Sequence, residues 1–519
     1  MSTVNPIAPG ETTSLNGGGG GGQAEPLMEQ ARADAEVAAA TAADVTKATN
    51  FQATVAVVKI CVGAGSLALP YAFGQGGILT GTIGLGLIAL WNYYTTCLLL
   101  RCKEVLLRTV RREAAAAQYG TAGEQAEARQ RAADAAKRGG RKPKSTFAAL
   151  AHRALGPLGV WVVDYCLIFT LMGVCATYQI QIGQLLTSTG WIGDGGAGVQ
   201  RFVILASAAV VLPLALLRDM SCLAWTSGVA LLALAVGFTA IFVYGAQNNA
   251  IPDPIPAALL APPNFQRFSV MFGIIVFAFG IPTIILPIQE GMRRPQEVRT
   301  PLRRGMGVVL VLYLLLGVLG LLFFFDDKTL PLQQIIILNL PQTSGVARAV
   351  KLLNAVVAVF SYPLPFLPIA QMLEPTAPDY RALALREEEQ RRGGAGGGGG
   401  GGAGGGAHHA LDGPLVAAAQ ASWRMRCMAV RTAMVVATTI VAMFVPCFGL
   451  VCAFIGCFTV SLLSFILPPI FHLRICRAEA LSRRQVATDY FSICFGIGVC
   501  LFTSVLTAIQ LVDTLKATV

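Results

Sequence analysis

The stretch KICVGAGSLALPYAF, residues 59–73, interrupts the first long apolar run of the chain, which begins near residue 52. Within it, Gly63 and Gly65 flank an alanine, and Pro70 follows shortly afterwards. Glycine permits non-helical dihedral angles and proline removes a backbone donor. The pattern therefore predicts a helix that breaks part-way along its length.

A second stretch of this kind is FGIIVFAFGIPTIILPIQEGM, residues 272–292, in which Gly280 and Pro282 stand one residue apart. Backbone groups freed by a break are tolerated in a bilayer only where they face protein or a water-filled cavity. Secondary transporters use such breaks to bind substrate at half-helix N-termini and free carbonyls. The alternative is that glycine and proline merely kink these helices. Because the breaks fall in the first and sixth predicted spans, they indicate a 5+5 inverted repeat.

The composition is that of a membrane protein. Of the 519 residues, 54% are hydrophobic and only 13% are charged, and the mean hydropathy is +0.62. Apolar runs of roughly 18 to 25 residues recur, and each can cross a hydrocarbon core as a helix. We therefore predict an all-α integral membrane protein with about eleven transmembrane helices, and exclude a soluble enzyme, a fibrous protein and a nucleic-acid binder. The predicted spans lie near residues 52–74, 78–100, 157–187, 200–217, 222–244, 267–289, 306–325, 347–373, 428–446, 448–472 and 486–512.

Lysine and arginine are concentrated in the loops after the second, sixth, eighth and tenth predicted spans. The positive-inside rule therefore predicts a cytosolic N-terminus and, for an odd number of spans, a C-terminus on the opposite side. On this interpretation the net charge of +11 is a signal of topology and of contact with anionic lipid.

The chain divides into a transmembrane domain and three polar segments. Residues 1–50 are predicted to form a disordered cytosolic tail without a cleavable signal peptide, and residues 51–515 the transmembrane domain. Two cytosolic loops interrupt that domain, a low-complexity loop at 102–144 and a glycine-rich loop at 375–425. Between them, residues 145–158 have the spacing of a short amphipathic helix lying on the inner membrane surface.

Three segments of the sequence resemble one family. KICVGAGSLALPYAF is similar to the first-span signature of the amino acid/auxin permease family, and FAFGIPTIILPIQEGM to its sixth-span signature. FSYPLPFLPIAQMLE, residues 360–374, resembles the eighth span of that family. The resemblance covers residues 50–515 apart from the low-complexity loops. It implies the LeuT-type fold with broken helices 1 and 6. It also implies transport of amino acids, usually driven by protons and in some branches by sodium.

The resemblance also implies a substrate site formed by both breaks. The matching positions are Gly63, Ala64, Gly65 and Ser66 in the first span, Phe277, Phe279 and Gly280 in the sixth, and, more loosely, Tyr178 in the third. A zwitterion needs amide donors for its carboxylate and carbonyl acceptors for its ammonium, and the two breaks offer both. No arginine or aspartate adjoins either break, which favours a small neutral amino acid between aromatic walls. Ordinary helix packing is the alternative for each aromatic residue.

Ionisable residues at membrane depth are candidates for function because a buried charge is costly. Lys59 stands about one helical turn before the first break. The resemblance implies that its ammonium occupies the place of a sodium ion, with Ser361 as the hydroxyl partner of that cation site. This predicts proton-linked, sodium-independent transport. The alternative for Lys59 is a side chain that snorkels to the interface.

Two acidic residues complete the candidates. Glu290, at the end of the sixth span beside Arg293 and Arg294, is predicted to form a gate salt bridge or a helix-end pair. Asp164, near the start of the third span, is predicted to pair with an arginine or a backbone group. The sequence indicates no metal site and no cofactor. The four histidines lie in loops or at a span end, which argues against a histidine-based proton relay, and most cysteines lie inside apolar runs as small buried groups.

The predicted function is secondary active transport, with an amino acid and a proton as the partners and the bilayer as the surroundings. The alternatives are a membrane amino-acid sensor of the same fold, or a transporter of a related amine or auxin-like substrate. No catalytic grouping such as HExxH or paired carboxylates occurs, so the chain is not predicted to be an enzyme. Plasma membrane and vacuolar or lysosomal membrane both remain open.

Overall fold

A computed structural model of the chain describes residues 47–119, 121, 123, 145–191, 196–217, 226–248, 256, 259–261, 264–325, 332–342, 344–375, 378, 414–479 and 481–518. The predicted tail up to residue 46 and most of the two predicted cytosolic loops lie outside these residues. The disorder predicted for those segments therefore stays a prediction.

The regular elements of the described part are helical, apart from one isolated bridge between Ala48 and Met292. The α-helices are α1 (Asn50–Cys61), α2 (Ala64–Leu67), α3 (Leu69–Gly76), α4 (Ile78–Tyr119), α5 (Thr146–Leu155), α6 (Pro157–Thr187), α7 (Ala197–Leu216), α8 (Thr226–Asn248), α9 (Phe265–Ala278), α10 (Ile285–Glu290), α11 (Arg299–Phe324), α12 (Gly345–Ser361), α13 (Pro363–Leu373), α14 (Pro414–Phe444), α15 (Phe448–Ile455), α16 (Leu467–Ile475) and α17 (Arg483–Thr518). Short 3₁₀ turns lie at Ile281–Thr283, Pro295–Glu297, Ile336–Asn339 and Cys476–Glu479. Two π-helical turns, Gly456–Val460 and Leu462–Ile466, join α15 to α16.

Nine helical segments of the described part are long and apolar enough to cross a membrane. They coincide with nine of the predicted spans. Two shorter apolar helices, Asn50–Cys61 and Leu232–Asn248, lie in the predicted first and fifth spans. The helical membrane architecture agrees with the sequence analysis, whereas the count of eleven spans stays a prediction.

Two spans form the centre of the helical bundle. In their most apolar windows, 78% of the span Phe265–Glu290 and 83% of the span Phe448–Ile475 are buried, against 28% for Arg483–Lys516. Helix α9 packs against α3, α15 and α17, and α11 packs against α1 and α3. The interrupted first and sixth spans are therefore enclosed by protein, as backbone at membrane depth requires.

The helices extend further than the sequence analysis predicted. Helix α4 continues to Tyr119, so the first part of the predicted loop 102–144 is helical, and α14 begins at Pro414, inside the predicted loop 375–425. Leucine, arginine, alanine and glutamate are strong helix formers, and α4 contains no proline that would end it. With 42 residues it is about 63 Å long, roughly twice the thickness of the hydrocarbon core.

The amphipathic helix predicted for residues 145–158 is present as α5. Ser145 caps its N-terminus by accepting from the Ala148 amide, and Gly156, with a φ of 70°, follows its C-terminus. Its apolar residues, such as Phe147 and Leu150, are fully buried, because the helix packs against α6 and α16. The apolar face is thus covered by protein, and the position of the helix on the inner membrane surface stays a prediction.

Glycines bring α9 and the α15 segment into backbone contact. A Cβ atom on Gly456 would overlap the carbonyl oxygen of Gly273 and lie 2.9 Å from the amide nitrogen of Phe277. A Cβ atom on Gly273 would lie 2.6 Å from the sulfur of Cys457. Because the obstructing atoms include backbone, a side chain at either glycine has no flexible neighbour to displace.

We expect Gly456→Ala to separate α9 from the α15 segment and to lower the free energy of unfolding by about 1–3 kcal/mol, the usual cost of overpacking. The measurement is the melting temperature of the purified protein in detergent. Gly498→Ala on α17 is the matched control, because a Cβ atom there meets nothing within 4 Å. Equal melting temperatures for the two variants would contradict the assignment of this contact.

Candidate functional site

The first span breaks at the predicted glycines. Helix α1 ends at Cys61, and the amide of Gly63 turns back to the carbonyl of Cys61 at 2.8 Å. Gly63 has a φ of −119° and a ψ of −146°, outside the helical region. Only the four residues of α2 follow before α3 begins, with Pro70 in its first turn. The helical ladder is therefore interrupted between Cys61 and Ala64.

The sixth span is interrupted after Ala278. Helix α9 ends at Ala278, and Phe279 and Gly280 have ψ values of 30° and 34°. The turn Ile281–Thr283, which contains Pro282, leads into α10. Both predicted breaks are thus present in the structure, at the glycines and prolines that the sequence analysis identified.

The two breaks touch each other. A Cβ atom on Gly65 would lie 3.1 Å from the Cα atom of Ala278 and 3.1 Å from Cδ1 of Phe277. Both distances are shorter than ordinary van der Waals contact. Gly65 therefore allows the backbone of the first span to approach the sixth span at the end of α9.

A tyrosine that the sequence analysis did not select joins the two breaks. The hydroxyl of Tyr313, on α11, lies 2.5 Å from the carbonyl oxygen of Cys61 and 3.0 Å from that of Ala278. The side chain is fully buried. Its position inside the run VVLVLYLLLG was the available signal, because a phenol among apolar residues at membrane depth needs a partner for its hydroxyl.

Several predicted site residues gather at the first break. A Cβ atom on Gly63 would lie 3.6 Å from the hydroxyl of Tyr178, and the hydroxyl of Ser361 lies close to that of Tyr178. Ala64 is buried between the two glycines. The first, third and eighth predicted spans therefore meet here, and the role of Tyr178 as an aromatic wall stays a prediction.

The aromatic residues of the sixth span face different neighbours. Phe277 is half-buried and lies beside Gly65. Phe279 is fully buried and packs edge-to-face on Tyr313, with ring centroids 5.1 Å apart. The packing alternative thus describes the contact of Phe279, whereas Phe277 remains a candidate wall.

The carbonyls near the breaks already have donors. In the sixth span, the Tyr313 hydroxyl donates to the Ala278 carbonyl, and the Gly280 amide donates to the Phe277 carbonyl at 3.3 Å. The Thr283 hydroxyl donates to the Gly280 carbonyl at 2.6 Å. In the first span, the amide and hydroxyl of Ser66 both donate to the Gly63 carbonyl, at 3.1 and 2.7 Å. The Ser66 amide is thus engaged in this conformation. Each carbonyl oxygen retains a second lone pair for a ligand.

Lys59 lies one turn before the first break and is half-buried. Within the described part of the chain it forms no hydrogen bond or ion pair, and none joins it to Ser361. The described contacts therefore do not join the two predicted members of the cation site, which stays a prediction.

Glu290 pairs with other residues than the sequence analysis expected. Its carboxylate accepts from Nζ of Lys103 at 2.9 Å and from the hydroxyl of Thr146 at 2.6 Å. Arg294 pairs instead with Glu297 at 3.2 Å, because the turn Pro295–Glu297 brings them together. The helical extension of α4 carries Lys103 to Glu290, so the end of α10 is tied to α4 and α5.

Comparison with known proteins agrees with this architecture. Residues 46–510 match the family model described as transmembrane amino acid transporter protein. The chain belongs to the transmembrane amino acid transporter family. The resemblance to amino acid/auxin permeases is thereby confirmed, and the family consists of transporters, as expected for a chain that is not an enzyme.

Three curated relatives of this transporter family are similar at low identity. Vacuolar amino acid transporter 3 of Saccharomyces cerevisiae is 25% identical over 336 residues, which are 63% of this chain and 42% of that protein. Vacuolar amino acid transporter 4 of the same yeast is 20% identical over 322 residues, 61% of this chain and 39% of that protein. Amino acid transporter AVT1B of Arabidopsis thaliana is 24% identical over 434 residues, 82% of this chain and 65% of that protein. The chain therefore covers less than two thirds of the length of each.

We expect Tyr313→Phe to leave the Ala278 carbonyl at membrane depth without its described side-chain donor, and to leave the Cys61 carbonyl with the Gly63 amide alone. The free energy of unfolding should fall by about 1–3 kcal/mol. Binding of an amino acid should weaken as well, because the two breaks are no longer held together. Melting temperature and equilibrium binding measure the two effects. Tyr244→Phe is the control, since Tyr244 stacks on Phe324 at 6.3 Å and its hydroxyl has no described partner. Identical behaviour of both variants would remove Tyr313 from the site.

Proposed function

We propose that this chain is a secondary active transporter of small neutral amino acids, linked to protons and independent of sodium. The observation that carries the proposal is the meeting of two broken helices, whose carbonyls at Cys61 and Ala278 share one tyrosine hydroxyl. We further propose that the two breaks are equivalent positions of a LeuT-type 5+5 repeat and that substrate binds between them.

The residues around the breaks support a small neutral substrate. Gly65, Phe277, Tyr178 and Ser361 contribute backbone, an aromatic face and hydroxyls, but no formal charge. An ammonium and a carboxylate match the carbonyls and amides of the interrupted helices, whereas a charged side chain would find no described counter-ion among these four residues. The bulk of Phe277 and Tyr178 also limits the volume available to the substrate side chain.

Lys59 supports sodium independence. Its ammonium lies one turn from the break, is half-buried and has no anionic partner in the described structure. A fixed positive charge at this position opposes the binding of a second cation through Coulomb repulsion, which is strong where water is scarce. In this proposal Lys59 and Ser361 form the cation site, and Glu290 with Lys103 forms the gate at the other end of α10.

The membrane and the orientation are proposed from charge and relatives. One end of the bundle contains four basic residues with described contacts, and we call it the basic end. These residues are Arg101, Lys103, Arg153 and Arg474. The positive-inside rule assigns the basic end to the cytosol. The printed names of the two yeast relatives favour a vacuolar membrane over the plasma membrane. A membrane amino-acid sensor of the same fold is the competing function.

The proposal is tested with the purified protein in liposomes, supplied with labelled neutral amino acids under an imposed pH gradient or an imposed sodium gradient. We expect accumulation under the pH gradient and none that depends on sodium. A requirement for sodium would refute the assigned coupling and leave the transporter. Binding without flux under any gradient would favour the sensor.

Lys59→Ala separates the coupling role from a snorkelling side chain. We expect accumulation driven by the pH gradient to fall about tenfold, the scale of a typical coupling free energy. Lys59→Arg is the matched control, because it keeps the positive charge and should keep sodium independence. An alanine variant with the pH dependence of the unaltered protein would show that the charge at this position is incidental.

A further inference from the structure

A buried acid–base pair lies at the basic end and has no part in the site described so far. The carboxylate of Asp489, on α17, lies 2.6 Å from Nδ1 of His472, on α16. Both side chains are fully buried. The second carboxylate oxygen accepts from the hydroxyl of Tyr94, on α4, at 2.8 Å. Three helices thus converge on one carboxylate.

The imidazole has one open position. Because Nδ1 is engaged by Asp489, only Nε2 remains, and it is buried without a hydrogen-bond partner among the described residues. Buried polar atoms are nearly always paired, so an exception needs an explanation. A nitrogen that exchanges a proton with water in another conformation provides one.

The arginines around the pair interact with groups other than Asp489 and His472. On the neighbouring elements, Arg101 pairs with Glu479 at 3.2 Å and Arg153 with Glu113 at 3.8 Å. Arg474, on α16 itself, donates to the carbonyl of Ala154 at 3.0 Å. None of these groups neutralises Asp489.

Apart from Tyr94, other titratable groups of the surrounding elements form no described ion pair or hydrogen bond with Asp489 or His472. Cys102 on α4 and Cys476 after α16 are thiols that lie against each other. His152 is half-buried on α5, and Arg483 and Arg484 on α17 are exposed. The π-helical turn that precedes α16 contains no titratable residue.

The net charge of the pair therefore depends on one proton. With a neutral imidazole and an ionised carboxylate, the site buries an uncompensated negative charge, which is strongly unfavourable in a low dielectric. One added proton gives an imidazolium–carboxylate pair without net charge. In the enclosed conformation this charge balance consequently favours the pair with its proton bound. When the pair is in contact with water, the negative charge is hydrated and release of the proton is favoured.

We infer that His472 and Asp489 form a proton-binding site, closed in this conformation, through which the transport cycle exchanges its proton at the basic end. A proton from the aqueous phase binds at Nε2 when that atom is hydrated. It is held as the imidazolium when the site closes, and Tyr94 positions the carboxylate. No other bond forms or breaks. The inference rests on the proposed function, because it names the site of the coupled proton.

The pair is connected to the sixth-span break by direct packing. The π-helical turn Leu462–Ile466, which leads into α16, contacts the turn Ile281–Thr283, and α4 contacts that same turn. A hydrogen-bonded chain reinforces the link, since Trp91 donates to Ser492 at 2.8 Å and Ser492 donates to the Phe465 carbonyl at 3.1 Å. Movement of α16 on protonation would therefore reach the candidate substrate site through one continuous segment.

Asp489→Asn tests the inference because it replaces the negative carboxylate by a neutral amide. The site is then neutral without an added proton, so it should no longer favour binding one. In liposomes we expect accumulation driven by the pH gradient to fall about tenfold and the dependence of uptake on pH at the basic end to flatten. An unchanged accumulation ratio and pH profile would overturn the inference.

Tyr94→Phe is the milder variant and preserves the fold if Asp489→Asn does not. Without the phenol the carboxylate loses one of its described hydrogen bonds, so the midpoint of the dependence of uptake on pH should move. Tyr93→Phe makes the same chemical change at the next position of α4 and is expected to leave the midpoint of the pH profile in place. A midpoint that stays in place in both variants would contradict the proposed site.

Thermal unfolding in detergent separates this inference from the proposed function. If the closed pair binds a proton that the unfolded chain releases, the free energy of unfolding declines as the pH rises. We expect the decline in the unaltered protein and its loss in Asp489→Asn. If the decline is present but no pH gradient drives uptake, the site binds a proton and the proposed transport coupling fails. If both proteins melt alike at all pH values, the proton site itself is refuted.

Discussion

Peptide groups at membrane depth have no water to pair with, and the two broken helices must satisfy this constraint together. At Cys61 and Ala278 the helical ladder ends, and the freed carbonyls turn toward Tyr313 rather than toward lipid. The Cys61 carbonyl also accepts from the Gly63 amide, and the carbonyls of Gly63 and Gly280 accept from the nearby hydroxyls of Ser66 and Thr283. The backbone at each break is shielded from lipid because the other break lies against it. The site is thus a joint property of the first, sixth and seventh predicted spans.

Close backbone approach around these breaks depends on glycine. Gly65 brings the first span onto Ala278, and Gly273 with Gly456 brings α9 onto the tenth predicted span. The tenth span accommodates this contact with two successive π-helical turns, where Ser461 donates to the Gly456 carbonyl at 2.8 Å. A widened helical turn exposes backbone to side-chain donors, which is a common feature near functional sites. The central spans are therefore irregular where they meet and regular where they face the periphery.

The positions of both breaks could be predicted from the sequence because glycine and proline act locally on the backbone. The pairing of distant side chains could not. Tyr313 lies 252 positions from its partner Cys61, and Lys103 lies 187 positions from Glu290. The neighbouring Arg293 and Arg294 were the obvious candidates for Glu290 in the sequence. The extension of α4 beyond the membrane, which decides this pairing, depends on helix propensity in a segment that had been interpreted as a loop.

Lys351 illustrates the same limit. It lies near the start of the eighth predicted span, and its side chain is fully buried on α12. Its ammonium donates to the carbonyl of Leu340 at 3.0 Å and lies 3.4 Å from that of Ser188, at the end of α6. A cation at a helix C-terminus is stabilised by the unpaired carbonyls there. Such a position depends on tertiary contacts and leaves no local pattern in the sequence.

The ionisable groups of the bundle differ in what they are able to do at neutral pH. A lysine has an ordinary pKa of about 10.4 and therefore keeps its proton through a transport cycle unless it is strongly perturbed. In our proposal Lys59 takes the place of a metal cation near the first break, which would make transport independent of sodium. His472 and Asp489 lie 2.6 Å apart, and Nε2 of the imidazole is buried without a partner among the described residues, so our inference assigns the coupled proton to this pair. Because the pair is joined to the sixth-span break through α16 and its π-helical turn, the proposed mechanism divides coupling between a fixed charge near one break and a proton-binding pair linked to the other.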